Sequence, residues 1–215
     1  MRKIGTNFVL TTIFMMLAAV GVSLTLKADI GFGSVNSLSS ALATVTSVEV
    51  GTVLMSINIV CVFIQLLLQR RDFHWRQWLQ VGAAYILGIV VNLMIYRVLT
   101  PITLDHYFLR VLVFVSGVVL SGFAVAAIIR LDLVVFPLEA ACKVIADKYG
   151  VTFRKVRQWV DVITLLLAVL FMLTFGSSLV IREGTLINMI CLAPVTQFFL
   201  NRLEQRNIFH AIRFE

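Results

Sequence analysis

Apolar residues fall in six long blocks: Phe8–Leu26, Val50–Leu68, Trp78–Tyr96, Phe108–Ile129, Val156–Phe175 and Val180–Leu200. Each has about the 20 apolar residues that a membrane-spanning helix needs. Two shorter segments, Ser34–Val48 and Pro137–Tyr149, are more polar. The first reads SVNSLSSALATVTSV, and the second carries Glu139, Lys143, Asp147 and Lys148. Both are too short to cross comfortably, so they predict re-entrant, interfacial or short buried helices. Arg2 and Lys3 precede the first block in the manner of a signal peptide. That block is too long for a signal core and no small-x-small cleavage site follows, so it reads as a retained span.

Composition turns this pattern into a class. Of 215 residues, 60% are hydrophobic and 13% charged, with a mean hydropathy of +0.99. That charge content is about half that of a soluble domain. It excludes a soluble enzyme, a disordered tail and a disulfide scaffold, and leaves an all-α polytopic membrane protein of one domain, 1–215. The net charge of +7 reads as a topology signal rather than a nucleic-acid surface. With six spans and both termini cytoplasmic, 14 of the 18 basic residues lie inside. Only Lys27, Arg97, Arg110 and Arg182 lie outside. If both short segments crossed, the split would fall to 11 against 6, with Lys143 inside a span. The positive-inside rule therefore favours six spans. Cys61, Cys142 and Cys191 are far apart and read as packing residues. His74, His106 and His210 lie in loops or the tail, so no metal or other cofactor is expected.

A shift of 103 positions aligns the rare polar landmarks: Lys27 with Arg130, Asp29 with Asp132, Ser34 with Pro137, Asn36 with Glu139 and Asn58 with Asp161. Each half, 1–100 and 101–215, then reads as span, basic-x-Asp turn, short polar helix, span, span. Three spans is an odd number, so the second half lies upside down relative to the first. Two inverted repeats with a site between them are the recurrent plan of secondary transporters.

The stretch GVSLTLKADIGFGSVNSLSSALATVTSVEVGTV resembles the first-half signature of the YczE-like bacterial membrane proteins, related to the YitT group. RLDLVVFPLEAACKVIADKYGVTFRKVRQWVD resembles the repeated copy, and REGTLINMICLAPVTQFF the last-span pattern. The resemblance implies a multi-pass permease of the bacterial inner membrane. Asn36 stands where that family often has Asp, and Asn92 where an acid is also common.

Ionisable and amide side chains in spans are costly and mark candidate sites. Asp29 and Asp132 end repeat-related spans, either as caps of the short helices that follow or as gate or ion-binding carboxylates. Asn36 and Glu139 sit on the first turns of the short helices, where helix dipoles and side chains could meet a solute or, equally, lipid headgroups. Asn58 and Asp161 are repeat mates, and Asp161 can also pair with Arg157 at i,i+4. Asn92, Asn188 and Gln197, like Gln65, can line a cavity or bond across helices. Pro194 is expected to kink the last span.

No Walker loop, HExxH or nucleophile elbow is present, so no enzyme is expected. The leading reading is a secondary permease or exporter of a small solute. The alternatives are a non-transporting membrane helper and a six-span substrate-binding subunit of an ATP-driven transporter. Expected partners are the bilayer, the solute and a second copy of the chain, with no nucleic acid.

Overall fold

The computed structural model describes residues 2–70, 73–175 and 182–205. Six helices are long and apolar enough to cross a membrane. They are α1 (Arg2–Ala28), α3 (Val50–Gln69), α4 (Leu79–Leu93) together with the turn that carries it on to Val98, α5 (Tyr107–Leu131), α7 (Phe153–Phe175) and α8 (Glu183–Gln205). A short 3₁₀ turn, Trp75–Trp78, precedes α4, and a π-turn, Met94–Val98, extends it. Between α1 and α3 lies α2 (Ser34–Thr46), and between α5 and α7 lies α6 (Pro137–Tyr149). Val180 and Ile181 of the sixth predicted block, Arg71, and the tail with Arg206, His210 and Arg213 lie outside the described residues.

The helix limits repeat at the 103-residue shift. α1 and α5 end at Ala28 and Leu131. α2 and α6 run from Ser34 to Thr46 and from Pro137 to Tyr149. α3 and α7 begin at Val50 and Phe153. The turns match too. Asp29 and Asp132 both have positive φ, 52° and 49°, as do Ser47 and Gly150 at 56° and 65°. This conformation suits Asp, whose short polar side chain bonds locally, and Gly, which has no Cβ.

The turns correct one expectation. Asp29 and Asp132 do not cap the short helices. They follow the preceding spans as left-handed stop residues, and the Asp132 N–H closes α5 on the Ile128 carbonyl at 3.2 Å. The N-caps of α2 and α6 are Gly33 and Phe136, neither with a side-chain capping bond. The Asp carboxylates sit four or five residues upstream, on the outer side of the turn.

Packing exchanges the halves. α2 packs on α7 as well as on α3, and α6 packs on α3 as well as on α7. Each short helix therefore reaches into the opposite repeat. At its N-terminal end α2 buries Ser34, Val35, Ser37, Leu38 and Ser39, which places that end inside the bundle. Gln65 fixes the start of α6: its amide donates to the Pro137 carbonyl at 3.1 Å and to Gln80 Oε1 at 2.9 Å. At the centre, α1 crosses α5 over two glycines. A methyl on Gly21 would sit 2.8 Å from the Gly117 carbonyl oxygen, and one on Gly117 would sit 2.7 Å from that of Gly21. Small residues let helices approach closely in a bilayer, where association has no hydrophobic drive and rests on packing.

Candidate functional site

The starts of α2 and α6 border one cavity of about 170 Å³, to which all eight helices contribute. Its lining comes largely in repeat mates: Gly33 with Phe136, Val35 with Leu138, Asn36 with Glu139, and Leu54 with Arg157. Ala18 with Ser121 and Val22 with Val125 complete the set. Both halves thus contribute to the cavity at positions related by one constant shift. Ala18 and Ser121 lie near the middles of their spans, so the cavity is deep in the molecule.

Its walls carry specific polar groups. The N-terminal turns of α2 and α6 bring backbone N–H groups and positive dipole ends. Ser34, the first residue of α2, donates its hydroxyl to Asp161 of α7, and Arg157 donates to the same carboxylate oxygen. Asp161 thus ties the start of α2 to the opposite repeat, and the i,i+4 pair read from the sequence is present. Gly33 has no side chain, and the space is used: a methyl there would lie 3.0 Å from Asn188 Nδ2 and 3.8 Å from Asn36 Nδ2. Asn58 is buried and donates to the Leu54 carbonyl of its own helix at 2.9 Å. Ser121 is 7% exposed, and its hydroxyl oxygen has no hydrogen-bond partner among the described residues. That hydroxyl lies against Gly21 at the α1/α5 crossing.

A second space of about 470 Å³ adjoins the first and runs between α7 and α8. Asp161, Thr196 and Gln197 line it together with apolar side chains. Gln197 bonds Asn201 one turn on at 2.7 Å.

Of the nine candidates, Asn36, Asn58, Glu139 and Asn188 line the cavity, and Asp161 and Gln197 line the adjoining groove. The other three are elsewhere. Asn92 joins α3 to α4, accepting from the Gly51 N–H at 2.6 Å and donating to Thr52 Oγ1 at 2.9 Å. Asp29 lies at the surface, 3.7 Å from Arg110 and 3.5 Å from Arg182, and Asp132 is exposed. Arg182 also donates to the Asp29 carbonyl at 2.6 Å, and the Gly184 N–H donates to the Ile30 carbonyl at 2.8 Å. That turn latches α8 to the end of α1. Sequence reasoning missed Ser34, Ser121 and Arg157 as lining residues. Ser34 had a signal, since a hydroxyl opens a short helix buried at that end.

A family model matches residues 5–201, nearly the whole described bundle. The chain belongs to DUF6198, a family of unknown function. The match spans both halves of the DUF6198 chain, including every cavity-lining residue, and nothing links it by name to YczE or YitT. No curated protein and no solved structure matches it. Among the described residues of this DUF6198 protein, no cluster of His, Cys, Asp and Glu is placed to hold a metal ion.

Proposed function

We propose that this DUF6198 protein is a secondary permease of the bacterial inner membrane, with its substrate site in the cavity between the two halves. The support is the cavity's paired lining. A site built by equivalent residues of two repeats is what inverted-repeat transporters share, usually with interrupted or short helices aiming their N-termini at the substrate. Gly33–Asn36 and Phe136–Glu139, at the starts of two short helices, support that reading by lining the cavity. The motif resemblance to YczE-like proteins points the same way. The reading has both termini cytoplasmic, the second half inverted, and no catalytic step.

The groups set the chemistry. Arg157 and the α2 N-terminus offer donors, while Glu139, Asp161, Asn36 and Asn188 offer acceptors. Arg157 and Asp161 offset each other in charge, while the amides and the helix N-terminus both accept and donate, so the substrate carries hydrogen-bonding groups of both kinds. The test is release from proteoliposomes preloaded with amino acids, organic acids, polyamines, sugars and lysophospholipids, read by mass spectrometry. Wild-type protein is expected to release one class above protein-free vesicles, and Arg157→Gln to release it at about a tenth of the rate or less, the ratio that 1.4 kcal/mol gives. Release no faster than from protein-free vesicles for every class contradicts the reading.

A further inference from the structure

The substrate's class is narrowed by what adjoins the cavity. Six residues, Gly33, Ser34, Glu139, Arg157, Asn188 and Leu192, line both the central cavity and the groove between α7 and α8. The two spaces therefore share one polar wall. Away from the centre the groove is walled by Ile129, Phe153, Met189, Ala193 and Leu200. Met189 and Ala193, within a helix long and apolar enough to cross a membrane, are exposed, as is Phe153 at the start of α7. α7 and α8 make no extended contact with each other. A site for a wholly hydrophilic solute has no use for an apolar arm open toward lipid.

The opening is written into the sequence. In the first half the equivalent seam is shut by Gly51, Gly88, Asn92 and Tyr96. The residues at the shifted positions are Arg154, Cys191, Val195 and Phe199, which supply neither the backbone approach nor the acceptors.

We propose that the site takes a lipid-like amphiphile, its polar head at Arg157, Glu139 and the α2 N-terminus and its acyl chain in the α7/α8 groove. This rests on the reading of the central cavity as the substrate site. Because Arg157 and Asp161 already neutralise each other, a head without net charge, such as a zwitterion, is matched best.

The probe is a lysophosphatidylcholine with a diazirine in its acyl chain, photolysed with the full-length protein in nanodiscs and mapped by mass spectrometry. Adducts should concentrate on Phe153, Met189 and Leu192 rather than on α3 and α4. Ala193→Trp fills the groove from an exposed position and should cut those adducts about tenfold, the loss that 1.4 kcal/mol of binding gives. Ile190→Trp, exposed on the same helix but outside the groove, should leave them unchanged. Adducts spread evenly over lipid-facing helices, or unaffected by Ala193→Trp, overturn the proposal. Proteoliposome release separates it from the permease reading. Release of a chain-free solute that Ala193→Trp does not slow overturns the amphiphile and leaves the permease. Groove adducts without release of any class, amphiphile included, overturn the permease and leave the amphiphile site.

Discussion

The α3/α4 and α7/α8 seams are built from repeat-related helices and have opposite fates. Across the first, a methyl on Gly88 would lie 2.6 Å from the Gly51 carbonyl oxygen, so the backbones nearly touch. α4 also caps α3 from outside. The Val50 N–H donates to the Tyr96 hydroxyl at 3.2 Å and the Gly51 N–H to Asn92 Oδ1 at 2.6 Å. Glu49, the N-cap of α3, makes no side-chain bond of its own. The first turn of a helix leaves four N–H groups without intrahelical partners, and in a bilayer there is no water to take them. α4 satisfies two. Across the second seam Val195 and Phe199 stand in place of Asn92 and Tyr96, and neither side chain accepts. In the most apolar stretches of α3 and α4, 33% of residues are buried, against 6% in α7 and 11% in α8. The four residues that close the first seam have no counterpart at the second.

The comparison can be broken most severely at Gly51. A leucine there overlaps the Gly88 carbonyl and the Asn92 side chain. Overpacking of this kind costs about 1–3 kcal/mol or more, and here the obstacle is backbone that cannot turn aside. Gly51→Leu should abolish monodisperse protein in detergent, whereas Arg154→Leu at the shifted position should leave the yield unchanged. Equal losses at the two positions would mean that the seams do not differ as described.

Asp161→Asn probes the polar centre. It removes the charge that holds Arg157 and weakens the tie to Ser34. An unpaired buried charge is expensive: breaking one partner of a buried pair costs about 3–5 kcal/mol, and the partial exposure of Arg157 and Asp161 brings this case below that range. Thermal unfolding in detergent should shift downward, and release from proteoliposomes should fall more steeply than the amount of folded protein.

Asn92→Leu sharpens the comparison more gently. It leaves the Gly51 N–H without its acceptor. Interhelical bonds in membrane proteins average about 0.6 kcal/mol with a maximum near 1.7, and the loss of unfolding free energy should fall in that range. Val195→Leu, its shifted counterpart, should cost nothing measurable at the second seam.

The smallest effect is expected at Asp29→Asn. Its side chain is 58% exposed beside Arg110 and Arg182, and exposed ion pairs are worth about 0–1 kcal/mol. Asn tolerates the left-handed turn as Asp does. Stability should change by less than about 1 kcal/mol, and proteoliposome release should be retained. A complete loss of release would return Asp29 to the candidate gate residues.

Much of this fold was legible in the chain. The hydrophobic blocks carry the spans, because only length and apolarity are needed for that. The shift that pairs Asp29 with Asp132 also pairs the helix ends, because a left-handed stop residue fixes where a span ends. The roles of the polar residues were less legible. Asn36 and Asn92 look alike in sequence, yet one faces the cavity and the other a helix end. That difference depends on which helix packs opposite, and no local pattern encodes it. Asp29 looked like a cap because Asp is a common one, but, like Asp132, it ends the preceding span in a left-handed turn four residues before the N-cap of the short helix. Arg157 looked like a topology charge, since a basic residue near a span end is a common one. Its place beside the start of α2 comes from the exchange of short helices between halves.

The central claim is that the starts of α2 and α6 face one another across a single cavity. It is tested by cross-linking Asn36→Cys to Glu139→Cys in a background without Cys61, Cys142 and Cys191. A protease site in the exposed 101–106 loop separates the halves after a short bis-methanethiosulfonate reagent has been added. If the repeat mates share the cavity, the cleaved halves remain joined on a gel and part on reduction, while an Asp29→Cys/Asp132→Cys pair gives separate halves throughout. Separate halves for the Asn36/Glu139 pair, or equal joining of both pairs, would contradict the account.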